Sequence, residues 1–73
     1  MKLFDLQQIS LSNPAEWKAC TEEGTIIIHY RWDILTVEID GQEKFRKESV
    51  FRDPFRGTLS TEEMLVILAA ISW

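Results

Sequence analysis

Cys20 and His29 are the only thiol and the only imidazole in the chain. A thiolate next to an imidazole can act as a nucleophile if a third group orients the base and an oxyanion site receives the developing charge. No spacing around Cys20 or His29 supplies either requirement. Cys20 therefore reads as a small buried side chain beside Trp17, and His29 as an ordinary hydrogen-bonded or surface residue. Metal chemistry has no better footing, since one Cys, one His and scattered carboxylates lack the ligand spacing of a zinc site. Glu38, Asp40 and Glu43 cluster around Asp40-Gly41 and read as a solvated hairpin end. Each of the three glycines serves a turn or a helix end, and none forms a phosphate loop. No enzymatic activity, cofactor or metal is expected.

Contact chemistry is better represented. Three Phe-Arg pairs lie close together: Phe45-Arg46, Phe51-Arg52 and Phe55-Arg56. The segment Lys44 to Arg56 holds five basic and two acidic residues, a net +3 in a chain of net −4, so the rest sums to −7. A local reversal of sign interleaved with aromatics suits a binding surface. Arginine serves such surfaces because it joins a flat apolar area to forked donors.

Size and composition bound the class. Residues 1–73 read as a single α+β domain, 45% hydrophobic with three tryptophans, which suffices for a real core. A lone cysteine forms no intrachain disulfide and suits a reducing compartment. The N-terminus, with Lys2 and Asp5, leaves no room for a signal-peptide core. The longest apolar run, Met64 to Ile71, has eight residues, whereas a membrane helix needs about twenty. A soluble cytoplasmic protein is expected.

The elements that must position the candidate residues follow from the pattern. Phe4/Leu6 and then Ile9/Leu11 alternate, with Gln7-Gln8 breaking the phase, as in a strand with an irregularity. Asn13 as a cap, Pro14 at the first helical position, Glu16 in the first turn and Gly24 as a stop predict a short helix. Thr25–Trp32 and Ile34–Asp40 predict a hairpin rich in β-branched residues. Pairing Tyr30 with Leu35, Ile28 with Val37 and Ile26 with Ile39 puts all six on one face. Ile27, His29, Arg31, Ile34, Thr36 and Glu38 then share the other.

Asp40-Gly41 marks a turn into a third strand, about Glu43 to Arg52. A plain two-residue turn aligns Phe45 with Thr36, and a three-residue turn with a glycine bulge aligns it with Val37. The bulge is expected, since burying a Phe contributes roughly 2–3 kcal/mol. Phe51 follows Phe45 inward, and Lys44, Arg46, Val50 and Arg52 point to the other face. Asp53 to Gly57 is a turn around Pro54. Ser60-Thr61-Glu62-Glu63 is a capping box with Leu59 and Met64 as a hydrophobic staple, opening a helix that runs to near Ser72. That helix is apolar nearly all round, so its outer side is expected to contact a second copy or a partner through Leu65, Ala69 and Trp73.

The fold class expected is α+β: a three-stranded antiparallel sheet, an extra strand at the N-terminus, a short N-terminal helix and a C-terminal helix packed on one sheet face. The order helix, three antiparallel strands, helix is similar to that of double-stranded RNA-binding domains. That likeness implies lysines at the start of the second helix, where this chain has Ser60-Thr61-Glu62-Glu63 instead. Two functions are weighed. The first is a protein-binding module of inhibitor, adaptor or subunit type, for instance a phage or mobile-element inhibitor of a host defence enzyme. It acts through His29, Arg31, Lys44, Arg46 and Arg52 on the open sheet face, extended by Phe55 and Arg56. The alternative is nucleic-acid binding through Lys44–Arg56.

Overall fold

The computed structural model describes residues 2–12, 14–53 and 55–70. Five strands form one antiparallel meander in chain order: β1 (Phe4–Ser10), β2 (Ala15–Thr21), β3 (Gly24–Arg31), β4 (Ile34–Ile39) and β5 (Gln42–Lys47). One helix, α1 (Thr61–Ala70), completes the described elements. No described helix is long and apolar enough to cross a membrane.

The architecture is α+β with a C-terminal helix, but the sheet is wider than expected and the N-terminal helix is absent. Its place is taken by β2, and with it lapses the likeness in element order to double-stranded RNA-binding domains. The reason is burial at period two. Ala15, Trp17 and Ala19 are all buried, paired with Tyr30, Ile28 and Ile26. As a strand, β2 satisfies its backbone on both sides, against β1 and β3. Gly24 is not a helix stop but ends the β2–β3 turn, with φ at +139°. A Cβ there would collide with the Asp40 carboxylate, which accepts the Thr25 amide at 3.0 Å through Oδ1. Gly24→Ala is therefore expected to cost about 2 kcal/mol. That would lower the melting midpoint by roughly 8–16 °C in a domain of this size; a midpoint within about 2 °C of the parent would refute the account.

The central hairpin has the expected register, with Tyr30, Ile28 and Ile26 opposite Leu35, Val37 and Ile39. Trp32 and Asp33 make its two-residue turn, both at left-handed φ of 56° and 60°. Phe45 lies opposite Val37, reached by a different device from the one expected. Asp40 and Gly41 form a two-residue turn that pairs Ile39 with Gln42 and Glu38 with Glu43. The extra residue, Lys44, is inserted one step later, where the register shifts. Phe45 is then brought against the core.

The third strand of the hairpin series ends at Lys47, not Arg52. Ser49 takes φ of 53°, so the side-chain parity expected beyond it fails. Val50 packs against the core and Phe51 is 38% exposed, the reverse of the expected directions. α1 starts at the expected capping box: the Glu63 amide donates to Ser60 Oγ at 3.0 Å and the Ser60 amide to Glu63 Oε1 at 3.1 Å. Leu59, Met64 and Leu68 are buried against the Trp17/Ile28/Val37 face. The Trp17 indole Nε1 donates to Thr61 Oγ1 at 2.9 Å and ties β2 to the helix.

Both sheet edges are blunted against pairing with another strand. β1 carries two register shifts and a left-handed Asp5. β5 is six residues long and carries the Lys44 insertion.

Candidate functional site

α1 covers one face of the sheet. The opposite face is built by the outward positions of β2 to β5, in rows fixed by strand register. Glu16, His29, Thr36 and Arg46 form the central row. Arg31 and Ile34 flank it on one side, and Lys18, Ile27, Glu38 and Glu43 on the other. These residues other than Lys18 and Ile27, together with Trp32 at the hairpin tip, line an open groove of about 480 Å³. Ile34 in the groove and Ile27 beside it on the face are only half-buried.

The charges divide into satisfied and free ones. His29 Nδ1 stands 2.7 Å from Glu16 Oε1, and Arg46 Nη1 stands 3.6 Å from Glu43 Oε1. Among the described residues neither Arg31 nor Glu38 has an ion pair. The Arg31 guanidinium lies 5.3 Å from the centre of the Trp32 ring, itself 62% exposed. Trp and Arg are among the residue types enriched in interface hot spots, and here an arginine backs an exposed Trp ring.

Of the expected contact residues, the structure brings His29, Arg31 and Arg46 together in this groove. It places the others elsewhere. Lys44 is the inserted residue of β5, with Nζ 3.2 Å from Gln42 Oε1. Arg52 has left the sheet with φ of 56° and is exposed. Phe55 stands 90% exposed on the following turn. Arg56 is held within the fold: its guanidinium lies 4.0 Å from the Phe51 ring centre, bonds Glu63 Oε2 at 2.5 Å and donates through Nε to Thr58 O at 3.0 Å. The Ser60 amide and then Arg56 hold the Glu63 carboxyl below the usual range. Leu65 and Ala69 lie on the exposed side of α1, and Trp73 lies outside the described residues.

The face is thus mixed in sign rather than arginine-rich. Glu16 was unforeseen because its segment read as a helix. An alternation of Ala15, Trp17 and Ala19 with Glu16 and Lys18 was the signal that could have placed it. Cys20 is exposed and shares the groove side of β2, not the Trp17 side as expected. No hydrogen bond joins it to His29 among the described residues. No described cluster of three or more His, Cys, Asp or Glu residues could hold a metal ion. Glu16 orients the His29 imidazole, while Cys20 lies opposite Thr25, four residues along the strands from it.

A second residue missed from sequence is Asp33. It is 3% exposed, and its carboxylate accepts the Tyr30 hydroxyl at 2.8 Å, the Phe51 amide at 2.8 Å and the Asp53 amide at 2.9 Å. Its own carbonyl accepts the Val50 amide at 3.0 Å. Burial pushes its pKa upward, but the bonds from Phe51, Tyr30 and Asp53 outweigh that and hold it below the usual carboxylate range. Tyr30 shifts the other way, raised by burial first and then by Asp33. Asp33 thereby clamps the segment after β5 to the β3–β4 turn.

Comparison with protein-family models, with curated proteins and with solved structures returns no match.

Proposed function

We propose that the chain is a non-enzymatic protein-binding module, of inhibitor or adaptor type, that docks through the sheet face opposite α1. One observation carries this reading: no described element covers that face, although half-buried Ile27 and Ile34 lie in it, with the exposed Trp32 at the hairpin tip next to Ile34. Four strands spaced about 4.8 Å apart and roughly 20 Å long present about 400 Å² there, the scale of a weak, transient contact. Lys18, Arg31 and Glu38, without ion pairs among the described residues, are charges free to meet a partner's opposite charges, which sets orientation and on-rate. Glu16, Glu38 and Glu43 in the same groove oppose phosphate, so nucleic acid fits this surface poorly.

The test is comparative capture from a host lysate. The parent chain is expected to recover a partner that the Arg31→Glu/Trp32→Ala variant loses while keeping the parent's circular dichroism. Equal recovery by both would discard this face. An electrophoretic shift at about 50 mM salt would instead support the nucleic-acid alternative.

A further inference from the structure

We propose that the chain self-associates through a second surface, each copy inserting Phe55 into a groove beside α1 of the other. The groove, of about 340 Å³, is lined by Phe51, Glu62, Glu63, Val66 and Ile67 and is chiefly apolar. It lies on the side of the helix away from Met64 and Leu68, the residues that α1 buries. Val66 is 68% exposed, and Ala69 and Ala70 continue its stripe with small side chains that allow close approach.

The knob that fits this groove is on the same molecule. Phe55 is the most exposed large apolar residue described, at 90%. Its turn is built rather than loose. The Phe55 amide donates to Asp53 Oδ1 at 3.1 Å, and the Arg56 amide to Asp53 O at 3.1 Å. Arg56 is fastened to Glu63, on the groove wall, and lies over Phe51, another wall residue. Knob and groove therefore sit side by side in fixed relation, with the ring standing in solvent.

A knob beside its own matching groove meets the condition for an isologous dimer, in which a two-fold axis between them fills both grooves at once. Charge agrees with this occupant. Arg52, next to Phe51 in sequence, and Glu62 on the groove rim are both exposed. Neither has an ion pair among the described residues, so each copy carries a free acid in the groove lining and a free base one residue along the chain from it. Like-signed rims would have opposed a second copy. Two phenylalanines bury roughly 150–250 Å² each, about 300–500 Å² together, and with the Val66–Ala70 stripe the total stays below the about 1,000 Å² of a stable specific interface. A weak, exchanging dimer follows, with dissociation on the order of tens to hundreds of micromolar.

Sedimentation velocity of the full chain, from about 10 µM to about 1 mM, should show a concentration-dependent shift toward the dimer, because the association is weak. Phe55→Asp should abolish it, and since Phe55 is exposed the variant should keep the parent's circular dichroism. Arg52→Glu and Glu62→Arg should each weaken the dimer about tenfold, and the double exchange should restore it. In a Cys20→Ser background, mixing F55C with V66C should give an intermolecular disulfide between unlike copies. A monomer throughout the concentration range would overturn the proposal. So would a dimer that survives Phe55→Asp but is lost on Leu65→Glu, which would mean association through another side of α1, or one lost on Arg31→Glu, which would assign it to the sheet face.

Discussion

Replacing Trp17 by alanine should remove about 4–6 kcal/mol, a large part of the stability of a domain this small. A domain of 73 residues has about 4–11 kcal/mol of stability in total, at 0.05–0.15 kcal/mol per residue. Truncating a buried Trp removes about 3–5 kcal/mol. Trp17 is fully buried and lies opposite Ile28 in the middle of the sheet. It also ties β2 to α1 through the indole donation to Thr61 Oγ1 at 2.9 Å. Losing that bond adds about 1 kcal/mol. Trp17→Phe separates the two contributions: it retains a ring but no donor, and should cost about 2 kcal/mol. Urea unfolding followed by far-ultraviolet circular dichroism measures both. If Trp17→Ala kept the parent's midpoint to within about 1 kcal/mol, α1 would have to be held to the sheet by something other than this side chain.

The same residue shows where sequence pattern was read well and where it misled. The hairpin of β3 and β4 was legible because both strands alternate strongly and share one apolar face. The capping box at Ser60 was legible because its chemistry is local, with donor and acceptor three residues apart. The segment around Trp17 offered two competing signals. Asn13-Pro14 and Gly24 resemble helix caps, and Ala15 and Ala19 are good helix formers. Against them stood the period-two alternation of Ala15, Trp17 and Ala19. Tertiary burial decided for the strand, because only a strand sets all three against Tyr30, Ile28 and Ile26 at once. Gly24 is needed for the close approach of Asp40, which lies sixteen positions later and leaves no mark nearby. That misreading hid Glu16, and so made the sheet face look more basic than it is. The exit from β5 was illegible for a similar reason. Val50 and Phe51 face as they do because the left-handed Ser49 breaks the strand and Asp33 gathers the amides that follow.

Asp33 should therefore prove the most sensitive polar residue in the molecule, and its effect should depend on pH. Asp33→Ala strips acceptors from the Tyr30 hydroxyl and from the Phe51 and Asp53 amides. Partly buried donors left without partners cost about 1–3 kcal/mol in aggregate once water reaches the exposed ones. Alanine also resists the left-handed φ of 60° at this turn position, adding about 1 kcal/mol. A total of about 3 kcal/mol is expected. Asp33→Asn tolerates the backbone but sets an NH2 group where one oxygen accepted, and should fall between.

The pH dependence has a definite sign. The folded carboxyl titrates below its ordinary value, so its contribution is complete above about pH 5, where the unfolded chain's carboxyl is ionised. It is lost as pH falls from there through the lowered folded value. The gap in unfolding free energy between the parent and Asp33→Asn should be constant from about pH 5 to 8 and shrink below about pH 4. Tyr30 gives the mirror image, since a raised phenol stabilises below its ordinary value of about 10 and loses that contribution as pH rises beyond it. A parent-to-Asn gap that stayed constant down to about pH 2 would mean the carboxylate is not what holds the segment after β5. The clamp would then reduce to the Asp33 carbonyl and its bond from Val50.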